Sequence, residues 1–147
     1  MTDLRDLYQE VILDHYKRPR NHAAPAGATL YANGHNPLCG DKLTVYVQLD
    51  GDKIKEVGFT GGGCAIATAS ASLMTESMQG KTKAEAEDWF HKFLDLVMKE
   101  NASAEGLGKM AVLAGVREFP ARVKCATLAW HTLHNALANP AQTAKTE

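Results

Sequence analysis

The chain has 147 residues and a formal net charge of −1; 45% of its residues are hydrophobic and 22% are charged. These values are typical of one globular domain with its own hydrophobic core. The near-zero charge argues against nucleic acid or an anionic membrane as a partner, and no apolar run approaches the roughly 20 residues of a membrane span. The charged, amphipathic N-terminus lacks a signal-peptide core, so we predict a cytoplasmic protein.

The first predicted element is an amphipathic helix over residues 4–18. A capping pattern at Thr2 or Asp3 precedes it, and apolar residues then recur at helical spacing. Pro19 cannot continue a helix and therefore marks its end.

A small antiparallel sheet is predicted next. One short strand is expected around residues 29–32, and the clean alternation of residues 43–49 predicts a second strand with one apolar face. Asp50-Gly51 is a hairpin signal that leads into a third strand over residues 54–60. The glycines at 61–63 should end that strand.

Helices are predicted from Cys64 onward. The first begins at Cys64, is rich in small residues that indicate tight packing, and ends at Gly80. Thr82 and Glu85 predict a capping box for a second helix that runs to about Met98, with its aromatic residues in the core.

The remaining sequence predicts two more helices and a tail. A short helix is expected over residues 110–116, and Pro120 suits the first turn of the last helix, whose apolar residues form a stripe. Residues 139–147 are expected to be disordered. The sequence therefore predicts one α+β domain over residues 1–138, with a mainly antiparallel three-stranded sheet packed by helices.

Three cysteines, an odd number, favour metal, redox or sulfur chemistry over a disulfide framework in a reducing compartment. Cys39 lies in a turn before a strand, Cys64 at a helix start where N–H groups stabilise a thiolate, and Cys125 early in the last helix. Such element ends can converge, and Asp41 would then complete a tetrahedral zinc site. The three thiolates would also suit an iron–sulfur cluster. The alternatives are three small buried thiols and an ordinary turn aspartate.

Other residues that carry chemistry have simpler explanations. The glycine run at 61–63 precedes a helix but lacks the lysine and the spacing of a phosphate-binding loop. His131 and His134 lack a metal-binding pattern, so we expect them to pack. Arg122 and Lys124 flank the third cysteine; they either stabilise its thiolate or form a solvated helix face.

The stretches "NPLCGD", "GGGCAIATASASLMTE" and "FPARVKCATLAWHTL", with "LYQEVILDHYKRPRN" before them, resemble the IscU/SufU/NifU family of iron–sulfur cluster assembly proteins. The resemblance covers residues 4–137 and is closest to the SufU branch. Lys124 stands where IscU-type proteins have a histidine, and the interval from Cys64 to Cys125 is long, as in SufU-type proteins. "FPARVK" replaces the chaperone-recognition motif of the IscU type.

The SufU likeness implies a zinc site of Cys39, Asp41, Cys64 and Cys125. It also implies a SufS-type cysteine desulfurase as partner. A histidine of this desulfurase would displace one cysteine from zinc, and Cys39 would then accept the persulfide sulfur. Sulfur then passes to cluster-assembly machinery of the SufBCD type, which would make the protein a zinc-dependent sulfurtransferase.

The IscU likeness implies a different activity for the same residues. In that case Cys39, Cys64 and Cys125 support transient assembly of a [2Fe–2S] cluster from iron and sulfur, and the protein is a non-enzymatic scaffold. The third cysteine is then the usual persulfide acceptor. A purely structural zinc domain fits less well, because Asp41 would be an unusual fourth ligand in a closed structural site.

Overall fold

The computed structural model describes residues 4–99, 106–138 and 144–145. Its elements follow one another in the order α1 (Leu4–Lys17), β1 (Leu30–Asn36), β2 (Asp41–Asp50), β3 (Lys53–Gly62), α2 (Ala65–Met78), α3 (Lys83–Met98), a 3₁₀ helix (Gly108–Glu118), α4 (Pro120–Ala138) and β4 (Ala144–Lys145). No helix within these ranges is both long and apolar enough to span a membrane. The predicted cap of the first helix, at Thr2 or Asp3, lies outside the described residues.

The sheet has the strand order β3-β2-β1-β4. Strands β1, β2 and β3 are antiparallel neighbours, which confirms the predicted three-stranded antiparallel sheet. The short β4 was not predicted: it pairs in parallel with Gly34 and His35 at the edge of β1. It lies within residues 139–147, where we expected disorder, and the domain boundary at residue 138 stays a prediction.

Strand β2 has one face in the core and one toward solvent. Leu43, Val45 and Val47 are buried and Leu49 is half-buried, as the alternation predicts. The strand begins two residues earlier than predicted, so that Asp41 lies on the same buried face. This register places a carboxylate under the helices that cover the sheet.

Helix α2 is buried from Ala67 to Thr75, on every side. Its small side chains let α1, α4 and β3 approach closely, and Ser70 donates a 2.6 Å hydrogen bond to the carbonyl oxygen of Ala126 on α4. The prediction of a tightly packed helix is confirmed. The capping box of Thr82 and Glu85 on α3 is also present, with both reciprocal hydrogen bonds formed.

Two helical predictions were too simple. Residues 108–118 form a 3₁₀ helix that is longer than the short helix expected over 110–116. Helix α4 is buried at every position from Cys125 to Trp130, whereas the sequence predicted a single apolar stripe. The reason is that β1, α2 and α3 pack against different sides of α4.

Candidate metal-binding thiol site

The β1–β2 hairpin positions the first half of the site. Asn36 and Asp41 are paired across the two strands, at the end of the sheet, and both are buried. Cys39 lies between them in the connecting turn, where it is half-buried. Gly40 follows with φ of +74°, a backbone conformation that favours glycine, so that this tight turn leads directly into Asp41.

The carboxylate of Asp41 joins the hairpin to the start of α2. Its Oδ1 accepts a hydrogen bond of 2.8 Å from the backbone N–H of Cys64, and its Oδ2 lies 3.8 Å from the Cys64 Sγ. A side chain at Gly63 would overlap Asp41, because a Cβ there would lie 2.8 Å from the Asp41 Cα. The glycine at this position therefore allows close packing around the site.

Cys64 is the N-cap residue of α2. Its Sγ accepts a hydrogen bond of 3.4 Å from the backbone N–H of Ala67, in the first turn of the helix. A sulfur in this position meets free N–H groups and the positive end of the helix dipole, and both favour a negative sulfur.

Cys125 is fully buried on α4 and contacts Cys39 directly. The Cys125 thiol donates to the Cys39 Sγ at 3.1 Å, and the Nδ2 of Asn36 donates toward the Cys125 Sγ at 3.8 Å. Burial raises the pKa of the Cys125 thiol, and its hydrogen bonds with Cys39, Asp41 and Cys64 act in the same direction.

The structure brings three of the four predicted residues within a few ångströms of one another and places Cys64 beside one of them. The Sγ atoms of Cys39 and Cys125 and a carboxylate oxygen of Asp41 all lie within 4.8 Å of one another. The Cys64 Sγ contacts the Asp41 carboxylate but does not belong to this group of three.

The donor set suits the metals that the sequence suggested. Three thiols and one carboxylate provide four ligands of the kinds that zinc binds in tetrahedral sites. Thiolates are also the ligands of iron–sulfur clusters. The residues present therefore fit either group, and the chemistry of the ligands does not choose between them.

Arg122 faces the site from the start of α4. Its side chain is exposed, yet the pKa of the guanidinium is raised by a hydrogen bond with Cys125 and by the nearby charges of Cys64 and Cys39. Its exposure fits a solvated helix face, and the effect of Cys125 on its pKa fits a role beside the third cysteine. Lys124 is exposed.

The sequence analysis missed two residues near the site. Asn36 shares the buried face of β1 with Ala32 and Gly34. The alternation of residues along this strand could have identified it as buried. Its Oδ1 accepts from the backbone N–H of Leu38 and so shapes the turn that carries Cys39. Tyr8 on α1 is also buried, and its hydroxyl has no hydrogen-bond partner among the residues that the structure describes. Its pKa is raised by burial and then by the charge of Cys64.

The two histidines of α4 belong to the packing between helices. Phe90 on α3 lies edge-on to the His131 ring and stacks on the His134 ring, with centroids 5.2 Å and 4.9 Å apart. His134 also forms a contact of 2.8 Å with Glu87. This agrees with the expectation that both histidines pack.

The fold and the site define a small α+β protein that gathers three cysteines and an aspartate at one end of its sheet. The chain belongs to the IscU/SufU/NifU family of iron–sulfur cluster assembly scaffolds: the NifU-like N terminal domain matches residues 7–142.

Curated relatives and solved structures agree with this assignment. The chain is 42% identical over 138 residues to the iron–sulfur cluster assembly scaffold protein IscU of Streptococcus pyogenes, covering 93% of this chain and 86% of the relative. It is 41% identical over 138 residues to the zinc-dependent sulfurtransferase SufU of Bacillus subtilis, covering 93% of each. A candidate iron–sulfur cluster assembly scaffold for the SUF system of Fervidobacterium islandicum superposes with a TM-score of 0.82 at 38% identity, covering 87% of this chain and 94% of that one.

Proposed function

We propose that this protein accepts persulfide sulfur on Cys39 from a cysteine desulfurase of the SufS type and passes it to cluster assembly of the SufBCD type. The observation that carries the proposal is the contact of a half-exposed Cys39 sulfur with the buried Cys125 sulfur, beside the Asp41 carboxylate. The likeness to a protein named as a zinc-dependent sulfurtransferase supports the same activity. A cytoplasmic location would suit these partners.

Accessibility favours Cys39 as the acceptor. It lies in a turn between the exposed Leu38 and the exposed Gly40, so a sulfur carried by another protein can reach it. Cys125 is fully buried, and Cys64 is held in the first turn of α2.

The transfer itself is an exchange at sulfur. The Cys39 thiolate attacks the terminal sulfur of the donor persulfide, the sulfur–sulfur bond of the donor breaks, and the donor cysteine leaves as a thiolate. No oxidant is consumed, because the product is again one persulfide and one thiolate.

Cys39, Asp41, Cys64 and Cys125 would hold zinc. When bound, zinc keeps its thiol ligands deprotonated and shields them from stray oxidation.

The test is the turnover of a SufS-type desulfurase with free cysteine, alone and with the zinc-loaded or chelated protein. We expect the zinc-loaded protein to accelerate turnover, the chelated protein to do so far less, and Cys39→Ser to abolish persulfide formation on this chain. Asp41→Asn and Asp50→Asn form a matched pair, because Asp50 is an exposed carboxylate at the other end of β2. Unchanged turnover with zinc-loaded protein would reject the proposal.

A second candidate is a scaffold on which a [2Fe–2S] cluster is assembled on Cys39, Cys64 and Cys125. The likeness to a protein named as an IscU scaffold favours it. Anaerobic incubation with iron and sulfide should then produce visible absorption of a cluster, which each Cys→Ser variant would weaken. If such a cluster forms and desulfurase turnover is unaffected, the scaffold is the better assignment.

A further inference from the structure

We propose that Cys125 resolves a persulfide on Cys39: the two residues form an intramolecular disulfide, and the transferred sulfur leaves as hydrogen sulfide. This activity rests on the proposed persulfide at Cys39. It would make the protein a source of free sulfide as well as a carrier of bound sulfur.

The geometry of the two thiols carries the proposal. Their Sγ atoms are 3.1 Å apart, although the residues are 86 positions apart in the chain. A disulfide bond is about 2.05 Å long, so the sulfurs must approach by only about 1 Å. Cys39 lies in a turn, whereas Cys125 is fixed in a buried helix, so the turn is the side that can move.

The same contact selects which sulfur is attacked. In a Cys39 persulfide the inner sulfur is the Cys39 Sγ, and this is the atom that the Cys125 sulfur already contacts. Attack at the inner sulfur expels sulfide, while attack at the outer sulfur would expel the Cys39 thiolate. Sulfide is the better leaving group, because hydrogen sulfide is more acidic than a cysteine thiol and the less basic group leaves faster.

The reaction balances without an added oxidant or reductant. The Cys39–S–SH group and the Cys125–SH group give Cys39–S–S–Cys125 and H₂S. One sulfur–sulfur bond breaks and one forms, and the proton of the Cys125 thiol leaves with the sulfide. The outer sulfur is reduced and the Cys125 sulfur is oxidised by the same amount, while the Cys39 sulfur keeps its oxidation state. An external dithiol would then be needed to restore both thiols.

The hydrogen bonds around Cys125 hold it ready for this step. The Nδ2 of Asn36 donates toward the Cys125 Sγ from β1, and the Cys125 thiol points at the Cys39 Sγ. Cys64 lies beside Asp41 instead, with its sulfur held by the N–H of Ala67.

The experiment loads the full chain with inorganic polysulfide after chelation, removes the excess, and follows sulfide release and the state of each cysteine by non-reducing peptide mapping. Because no desulfurase is present, the result does not depend on whether the protein activates one. We expect sulfide and a Cys39–Cys125 disulfide to appear together in equal amounts. In Cys125→Ser we expect the Cys39 persulfide to persist, with sulfide release slower by about tenfold or more.

Cys125→Ala is the second variant, because a buried thiol behaves as a small apolar group and alanine should preserve the fold. Thermal melts of both variants establish that each is folded. A persulfide that is stable on Cys39 of the wild type would overturn the proposal. So would a disulfide that joins any other pair of cysteines or two copies of the chain, or sulfide release at the wild-type rate in a folded Cys125 variant.

Discussion

The role of Asp41 can be tested by separating its two oxygens. One oxygen accepts from the Cys64 backbone N–H at 2.8 Å, and the other faces the Cys64 sulfur at 3.8 Å. Asp41→Asn keeps an acceptor for the N–H group but loses the charge that a metal requires. Asp41→Ala loses both functions.

The hydrogen bond between Asp41 and the Cys64 backbone sets the expected loss of stability. A hydrogen bond to a charged acceptor contributes about 1.5–3 kcal/mol, and a neutral amide acceptor retains about half of this. We therefore expect the metal-free Asp41→Asn protein to lose about 0.75–1.5 kcal/mol, or about 2–5 °C in Tm. The Asp41→Asn substitution also removes a fully buried charged group, and this offsets part of the loss in stability. Asp41→Ala should lose about twice as much.

Loss of one ligand of four should weaken zinc binding by about tenfold or more. A tenfold loss in affinity reduces the stabilisation by saturating zinc by about 1.4 kcal/mol, so that zinc should raise the Tm of Asp41→Asn by about 4 °C less than that of the wild type.

The assay is a set of thermal melts with and without zinc, together with a competitive zinc titration, for the wild type, Asp41→Asn and the exposed control Asp50→Asn. The control should match the wild type in both states. Zinc affinity of Asp41→Asn equal to the wild type would refute Asp41 as a ligand. Loss of the cooperative melt in the metal-free variant would mean that Asp41 holds the fold instead.

Three further predictions follow from contacts near the site. Gly63→Ala should displace the Asp41 carboxylate and lower zinc affinity by about tenfold. Gly27→Ala is the control, because the nearest atoms to its methyl belong to a flexible glutamine side chain, and it should leave zinc affinity unchanged. Equal zinc affinities of the two variants in a titration would contradict this prediction. Tyr8→Phe removes a buried hydroxyl that has no partner within the described part of the chain, so chemical denaturation should show no loss of stability. A loss above about 1 kcal/mol would contradict this. Burial lowers the pKa of His15, so the unfolded chain binds the proton first as pH falls. The free energy of unfolding should therefore have its full value above about pH 6.5 and fall below it, and His15→Gln should flatten this fall. The same pH dependence in the wild type and in His15→Gln would contradict the role of His15.

The sequence by itself determined the elements whose signals are local. The alternation of β2, the capping box of Thr82 and Glu85, and the helix end at Pro19 each depend on residues a few positions apart, and the structure has all three. The three cysteine stretches also identified the family. Local signals suffice in these cases because periodicity and capping are properties of a single segment.

Only the tertiary structure decided how the site is assembled. A shift of one residue in strand register exchanges the buried and the solvent-facing sides of a strand. Because β2 begins at Asp41, this carboxylate lies under the helices and not in a solvated turn. The burial of α4 on several sides, the pairing of β4 with β1, and the contact between Cys39 and Cys125 all join residues that are distant in the chain. Such contacts follow from how whole elements pack against one another, and no segment of the sequence contains that information alone.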